Sequence, residues 1–288
     1  MALGLTKTKR RIASIRSTQK ITKAMEMVAT VKLKRYRDAL DESEEYASGL
    51  AEVMAELFLH DHEARTHYAF ENEEVPGTLY LVITSSLGLC AGYNGNVYKF
   101  AETLIDPEKD TVIPLGEKGR THYGHDPKYK HVNLDFPALD RILDSKTIDE
   151  ACREIKAQFN QRKVRKVVLI YTKYVNSINF APATITLLPV NLDNPSRPEE
   201  AYCPPIFEPD ARVQIHQLLP YYLGAVLFAR ISESILCEQA SRRNAMDTAN
   251  DNADDLLNKL TIEYNKARQT AITQEITEVV SGSSNATN

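Results

Sequence analysis

The chain has no tryptophan, and its four cysteines (Cys90, Cys152, Cys203 and Cys237) stand far apart with no Cys-x-x-Cys pair. That spacing argues against a disulfide framework or a zinc site and fits a reducing cytoplasm. Long apolar runs are missing as well. The longest, Leu218 to Ala229, is broken by Pro220 and Gly224 and falls short of the ~20 residues that span a bilayer. No apolar core with a small-residue cleavage site follows the basic N-terminus, so no secretory signal is expected. Two stretches nearly lack helix breakers. From Leu5 to Leu59 there is no proline and only Gly49, and from Ala225 to Ser281 there is neither proline nor glycine.

What is present is strongly segregated. Residues 1–40 carry eleven basic residues, from Lys7, Lys9, Arg10 and Arg11 to Arg35 and Arg37, against the acids Glu26 and Asp38. The chain as a whole is −4, so a segment of +9 leaves −13 for the other 248 residues. A basic arm on an acidic body implies either an anionic partner or a solvated helix face.

In the first segment apolar or small residues recur at Ile12, Ile15, Ile21, Met25, Val28, Val31 or Lys32, Tyr36 and Ala39, with a polar gap at Thr18. Steps of three and four with so narrow a stripe predict a helix with a coiled-coil seam. The last segment repeats the pattern through Met246, Ala249, Ala253, Leu256, Leu257, Leu260, Tyr264, Ala267 and Ala271. A helix of some 57 residues there would extend roughly 85 Å. It cannot bury itself alone, and the N-terminal helix is its natural antiparallel partner. Small or polar stripe residues such as Ala249, Asn252, Ala253, Asn265 and Ala267 predict a close but weakly apolar seam that other subunits cover in part.

The middle differs in texture. Every proline but Pro220 lies between 76 and 210, with seven of the eleven glycines. Strands are predicted at Thr78–Thr84, Val112–Leu115, Val164–Tyr174 and Ala183–Leu188. Helices are predicted at Asn94–Leu104 and Thr147–Arg162, the latter with Ile148, Ala151, Cys152, Ile155 and Phe159 on one face. Pro189 to Asp210, with Pro204-Pro205, reads as an exit loop. The fold class is therefore α/β: a long antiparallel two-helix coiled coil formed by the terminal helices, with a small Rossmann-like α/β domain inserted, mainly parallel in its sheet. The expected segments are an N-terminal helix at 1–60, a linker at 61–75, the α/β domain at 76–208 and a C-terminal helix at 209–288.

Catalytic motifs are scarce. Gly88-Leu-Cys-Ala-Gly92-Tyr-Asn-Gly95 sits where a phosphate loop would, yet fits neither the P-loop nor the dinucleotide pattern, and Gly116-Glu-Lys-Gly119 also fails the spacing. A tight strand-to-helix turn explains the first set of glycines. His60, His62 and His67 cluster after the first helix and read as an exposed polar linker more readily than as a metal site. Cys90 reads as a small buried cysteine. No cofactor, metal or catalytic residue is expected. A single stacking aromatic, Tyr36, in the basic arm gives little support to nucleic-acid binding. From the residues alone, a coiled-coil nucleic-acid-binding or scaffold protein and a stand-alone α/β enzyme remain as alternatives.

Four runs carry a resemblance. Ile12-Ala-Ser-Ile15-Arg-Ser-Thr-Gln19-Lys20-Ile21-Thr22-Lys23-Ala24-Met25-Glu26-Met27-Val28-Ala29 opens it. Gly88-Leu89-Cys90 followed by Asn94 stands in the middle. Asn244-Ala-Met246-Asp-Thr-Ala249-Asn-Asp-Asn252-Ala closes it, together with Tyr264-Asn265-Lys-Ala-Arg268-Gln269-Thr-Ala-Ile272-Thr273-Gln-Glu275-Ile-Thr-Glu278-Val-Val. Read together, they resemble the γ subunits of F-type ATP synthases, end to end.

The resemblance implies a central rotor shaft that catalyses nothing itself. It would carry torque between the membrane c-ring and the catalytic hexamer of α and β subunits, with the ε subunit at its base. It places Lys20, Lys23, Met25 and Glu26 near the sliding contact and matches Arg268, Gln269 and Thr273 to positions that hydrogen-bond a β loop. It sets Ile272, Ile276, Val279 and Val280 in an apolar sleeve. Membrane association would be indirect, at the cytoplasmic face of a bacterial plasma membrane. Departures are also present. Ser86-Leu87 stands where the family usually has Asp followed by Arg or Lys. Ala91 replaces a usual glycine, and the tail Gly282-Ser-Ser-Asn285 is more polar than usual. The cysteine-bearing insert of chloroplast members is missing.

Overall fold

The computed structural model describes residues 2–137, 144–176, 178–192 and 206–285. Cys203 and the Pro204-Pro205 pair lie outside them, as do the side chains of Val280 and of the tail from Gly282. The elements run α1 (Ala2–His60), α2 (His62–Ala69), β1 (Leu79–Ile83), α3 (Tyr93–Glu102), β2 (Thr111–Leu115), α4 (Glu117–His125), β3 (His131–Val132), α5 (Ser145–Asn160), β4 (Val167–Tyr174), β5 (Phe180–Leu188) and α6 (Ala211–Asn285). Two compact units emerge: residues 1–30 with 242–288, and residues 31–241.

In the larger unit the sheet order is β3-β2-β1-β4-β5. β1 pairs parallel with β2 and β4, β2 pairs parallel with β3, and β5 joins β4 antiparallel. The centre of the sheet is buried on both faces, which is why β1 (LYLVI) and the start of β4 (VVLIYT) are continuous apolar runs. Leu79, Leu81 and Ile83 face one layer, where Met54, Leu57 and Phe58 of α1 meet Ile148, Ile155 and Phe159 of α5 and Ile215, Leu219, Leu223 and Leu227 of α6. Tyr80 and Val82 face the other, packed on Val97 and Ala101 of α3 and Tyr123 of α4. α5 starts where the Asp144 carboxylate accepts the Thr147 N–H at 2.8 Å, an N-cap.

The short elements α2, α4 and β3 have no counterpart in the sequence reading. α2 falls within the expected polar linker and buries Tyr68. α4 begins at Gly116, whose φ is +107°; a Cβ there would lie 2.2 Å from the Thr84 carbonyl oxygen, and one at Gly119 would lie 2.6 Å from Thr84 Oγ1. The Gly116-Glu-Lys-Gly119 spacing is thus a close approach of α4 to the end of β1.

α1 and α6 run antiparallel in this unit. Arg230 of α6 reaches Glu44 at 2.7 Å, and Arg212 reaches Asp61 at 3.2 Å. From Glu44 to Asp61 the chain of α1 advances 17 residues while α6 retreats 18, from Arg230 to Arg212. α6 continues unbroken through Pro220, whose ring removes one backbone hydrogen bond from the helix.

The smaller unit is helical only. α1 turns Ile12, Ile15, Gln19, Thr22, Met25, Glu26 and Ala29 inward, against Met246, Ala249, Asn250, Ala253, Leu257, Leu260 and Tyr264 of α6. The α6 stripe follows the expected positions except at Leu256 and Ala267, which are exposed. The α1 stripe does so at Ile12, Ile15, Met25, Tyr36 and Ala39 and departs from it elsewhere. Ile21, Val28 and Val31 are 59%, 55% and 71% exposed, and Gln19, Thr22 and Ala29 hold the seam. Steps of three and four from Ile12 and Ile15 lead there, whereas following the largest apolar residues leads off the seam.

Candidate functional site

The fold offers two places to look for function: the crevice at the carboxyl ends of the strands, and the exposed surface of the helical unit.

In open parallel sheets ligands bind outside the carboxyl ends of the strands, where the strand order reverses. Here that point lies between β1 and β4, and it is filled. Cys90, Tyr93 and Cys237 form a buried cluster there, backed by Tyr174 and Phe180. The Tyr93 hydroxyl donates to the Ser234 carbonyl at 3.1 Å, and the Ser241 hydroxyl donates to the Cys90 carbonyl at 2.7 Å. The glycine-rich turn before α3 is tied to itself: the Ser85 N–H donates to Asn94 Oδ1 at 3.0 Å, and Asn94 Nδ2 donates to Ser85 Oγ at 2.7 Å. Leu89 and Ala91 sit at φ +62° and +45°, in the left-handed region that favours glycine. Leu87 and Leu89 are 66% and 63% exposed. The space that remains is a cleft of about 180 Å³ beside Lys32, Tyr36, Thr84, Ser86 and Glu238.

The thiols are poorly suited to nucleophilic attack. Burial pushes the Cys152 thiol up to about 12 and the Cys237 thiol well above the ordinary range, which keeps both protonated at neutral pH. His60 approaches Glu56 and His67 approaches Asn160, each at 3.2 Å. Among the described residues no group of three His, Cys, Asp or Glu side chains could hold a metal ion.

The helical unit carries every residue singled out for partner contact. Lys20 and Lys23 are exposed on α1, beside Arg16 and one and two turns along from it. Met25 and Glu26 are half-buried in the seam. Glu26 is already engaged: its Oε2 accepts from Asn250 Nδ2 at 2.8 Å. Asn250, buried on α6, also meets Thr22 Oγ1 at 2.5 Å. Gln19 Nε2 donates to the Asn250 carbonyl at 3.5 Å. Asn250 lies inside the matching run yet escaped the sequence reading, which favoured Asn252; its place one turn after Met246 on the three-four period is the signal that identifies it.

On α6, Arg268, Gln269, Ile272, Thr273, Ile276 and Val279 are all exposed. Ile272, Ile276 and Val279 are 47%, 58% and 71% exposed and fall on one helical stripe. Thr273 donates its hydroxyl to the Gln269 carbonyl at 2.9 Å, so its oxygen lone pairs stay free for a donor. The reason for the exposure is simple. Counting outward from the Thr22–Asn250 contact, α1 reaches Ala2 when α6 reaches about residue 270. Beyond Ala271 every described α6 side chain is exposed, with no described α1 residue beside it.

Comparison with known proteins agrees with this architecture. The family model for ATP synthase matches residues 4–285. The ATP synthase gamma chain of Clostridium novyi is 35% identical over 97% of both chains. That of Ureaplasma urealyticum is 36% identical over 98% of this chain and 99% of its own. A chain in the cryo-EM structure of the Euglena gracilis mitochondrial ATP synthase (OSCP/F1/c-ring, rotational state 3) superposes with a TM-score of 0.64 at 17% identity, over 97% of this chain and 93% of that one. Together, an end-to-end family match and relatives above 30% identity along nearly the whole sequence place this chain in the ATP synthase gamma-chain family.

Proposed function

We propose that this chain is the central rotor shaft of a proton-translocating F-type ATP synthase. It transmits torque between the membrane c-ring and the catalytic hexamer of α and β subunits, and it regulates the hexamer's ATPase activity and proton flow. The observation that carries the reading is the end of α6, which outruns α1 and leaves Ile272, Ile276 and Val279 uncovered beside Arg268 and Gln269. A bare apolar helix end in water is unfavourable. A sleeve formed by the hexamer would cover it, and non-directional apolar contact would let it turn there.

Each surface residue then has a role. Arg268, Gln269 and Thr273 offer hydrogen bonds to a β-subunit loop, and the guanidinium can make bidentate, charge-assisted contacts that break and re-form on rotation. Lys20 and Lys23 face acidic β-subunit loops. Met25 lies at the sliding contact, and Glu26 holds that stretch of α1 in register through Asn250. The exposed apolar face of Ile21, Met27, Val28 and Val31 belongs to the same contact. The chain acts without catalysis of its own, since its crevice is filled by its own helix. The ε subunit and the c-ring contact the α/β unit. No helix among the described residues is long and apolar enough to cross a membrane. Attachment to the cytoplasmic face of a bacterial plasma membrane runs through the complex.

The test is co-purification of the tagged chain from its native cells with an ATPase assay of the eluate. A stoichiometric α/β hexamer whose ATPase activity is lost on deletion from Arg268 onward supports the shaft. A chain that repeatedly emerges alone and monomeric under mild extraction overturns it.

A further inference from the structure

β4 is longer than its parallel neighbour. Its pairing with β1 ends at Val82↔Ile170, while β4 itself runs on to Tyr174, paired on its other side with β5 down to Tyr174↔Phe180. On the β1 side the overhang meets a helix. The Thr172 N–H donates to Ser234 Oγ at 3.1 Å, and the Tyr174 N–H donates to Glu233 Oε1 at 2.9 Å. The Cys237 thiol donates to the Thr172 carbonyl at 3.5 Å. Side chains of α6 thus continue the hydrogen-bond ladder where β1 stops. Most of this is dry: Thr172, Glu233, Ser234 and Cys237 are at most 3% exposed, and only Tyr174 at the end of the overhang is half-buried.

Arg230 extends the joint to a third element. Its guanidinium pairs with Glu233, reaches Glu44 of α1 at 2.7 Å and lies over the Tyr171 ring with its carbon 5.4 Å from the centroid. Elsewhere α6 meets the sheet and α5 through Ile215, Leu219, Leu223, Leu227 and Ile231. Such apolar packing holds surfaces together without fixing direction and opposes sliding weakly. Hydrogen bonds are directional and lose their strength steeply on misalignment. A rotary load applied to the α/β unit and delivered to α6 would shear this interface, and the ladder contacts resist shear.

We propose that Glu233 and Ser234, with Arg230 as brace, are positioning residues that key the sheet to α6 so that torque passes between them without angular play. The inference rests on the shaft reading above and adds to it the point at which load enters the helix.

The test uses the assembled complex, fixed through its hexamer, with an optical probe coupled at exposed Glu108 of the α/β unit. The readout is the angular variance of the probe while the rotor is paused, scored on complexes of wild-type subunit composition. The Glu233→Ala/Ser234→Ala variant should raise that variance at least twofold, and Glu233→Gln, which keeps an acceptor for the Tyr174 N–H, should restore much of the stiffness in the Ser234 background. Wild-type variance in the double alanine variant overturns the key. Should the double variant not assemble, amide exchange in complexes carrying Ser234→Ala alone decides: faster exchange at Thr172 than in the wild type supports the key, and unchanged protection refutes it. A wild-type complex that shows no rotation of the probe at all would instead strike at the shaft reading.

Discussion

Asn250 of α6 and Glu26 of α1 meet across the helical unit, the amide Nδ2 donating to carboxylate Oε2 at 2.8 Å, in a seam whose other members include Ile12, Ile15, Met246, Leu257 and Leu260. A single buried polar residue of this kind fixes register at some cost in stability. Replacing Asn250 by alanine removes the amide from Glu26 and sends the Thr22 hydroxyl back to the Gln19 carbonyl of its own helix. We expect a loss of about 1 kcal/mol, seen as a lower denaturation midpoint of the chain by circular dichroism. An unshifted midpoint would show that the contact contributes no stability.

Arg268→Ala with Gln269→Ala removes two exposed side chains from α6. ATP hydrolysis by the assembled complex should fall about tenfold, the effect of losing roughly 1.4 kcal/mol of charge-assisted contact. The helical content of the isolated chain should not change. Lost helicity would mean the residues support the fold and not a partner.

Ala91 occupies φ +45° in an exposed turn. Ala91→Gly should therefore stabilise the chain by about 0.5–1 kcal/mol, after allowing for the looser unfolded state. Chemical denaturation with an unchanged m-value is the measurement. A destabilised glycine variant would contradict the strain argument.

Gly119 makes the opposite case. Its Cβ would stand 2.6 Å from Thr84 Oγ1, the atom that accepts the Gly119 N–H at 2.9 Å. Gly119→Ala should cost about 1–3 kcal/mol by overpacking. Thr84→Ser alongside it should return only part, because the hydroxyl remains. Equal stability of wild type and Gly119→Ala would refute the close packing of α4 on β1.

His216 links the chain to pH. Tyr68 OH lies 3.0 Å from its Nδ1, an acceptor only in the neutral ring. Partial desolvation beside Tyr68, then the nearby Lys156, His67 and Arg212, outweigh Asp61 and lower its pKa below the ordinary 6.5. Near pH 6 the unfolded chain then binds more protons than the folded one. The contribution of His216 to stability is complete above 6.5 and lost as pH falls through the folded-state value. The melting temperature should drop between pH 7 and 5, and His216→Gln should flatten the drop. A variant that tracks the wild type would assign the acid sensitivity elsewhere.

The main architecture was legible because the governing periods are long. Fifty-odd residues without proline announce α1, and LYLVI and VVLIYT announce doubly buried strands. The buried face of α5, Ile148 to Phe159, was read correctly because its apolar residues are both large and periodic. The α1 seam was read only in part, because there the two signals disagree: Ile21, Val28 and Val31 are apolar but face outward, and Gln19 and Thr22 are polar but face Asn250. A residue kept apolar for a partner outside the chain looks, in sequence, like one kept apolar for the core. The ladder from β4 to Glu233 and Ser234 was equally hidden, since it joins residues some 60 apart that carry no motif. The exposed stripe at the end of α6 was reached through the resemblance, and its exposure follows from the unequal reach of the two helices.

The filled crevice between β1 and β4 has a consequence in the language of ligand competition. α6 behaves there as a ligand that never leaves: Cys237 and the Ser234 carbonyl occupy the seat, and the chain itself is the tether. Tethering sets an effective concentration in the millimolar range or above, so a metabolite would have to compete against that standing occupant. The place where an open parallel sheet would hold a ligand thus serves here as a socket for the chain's own helix.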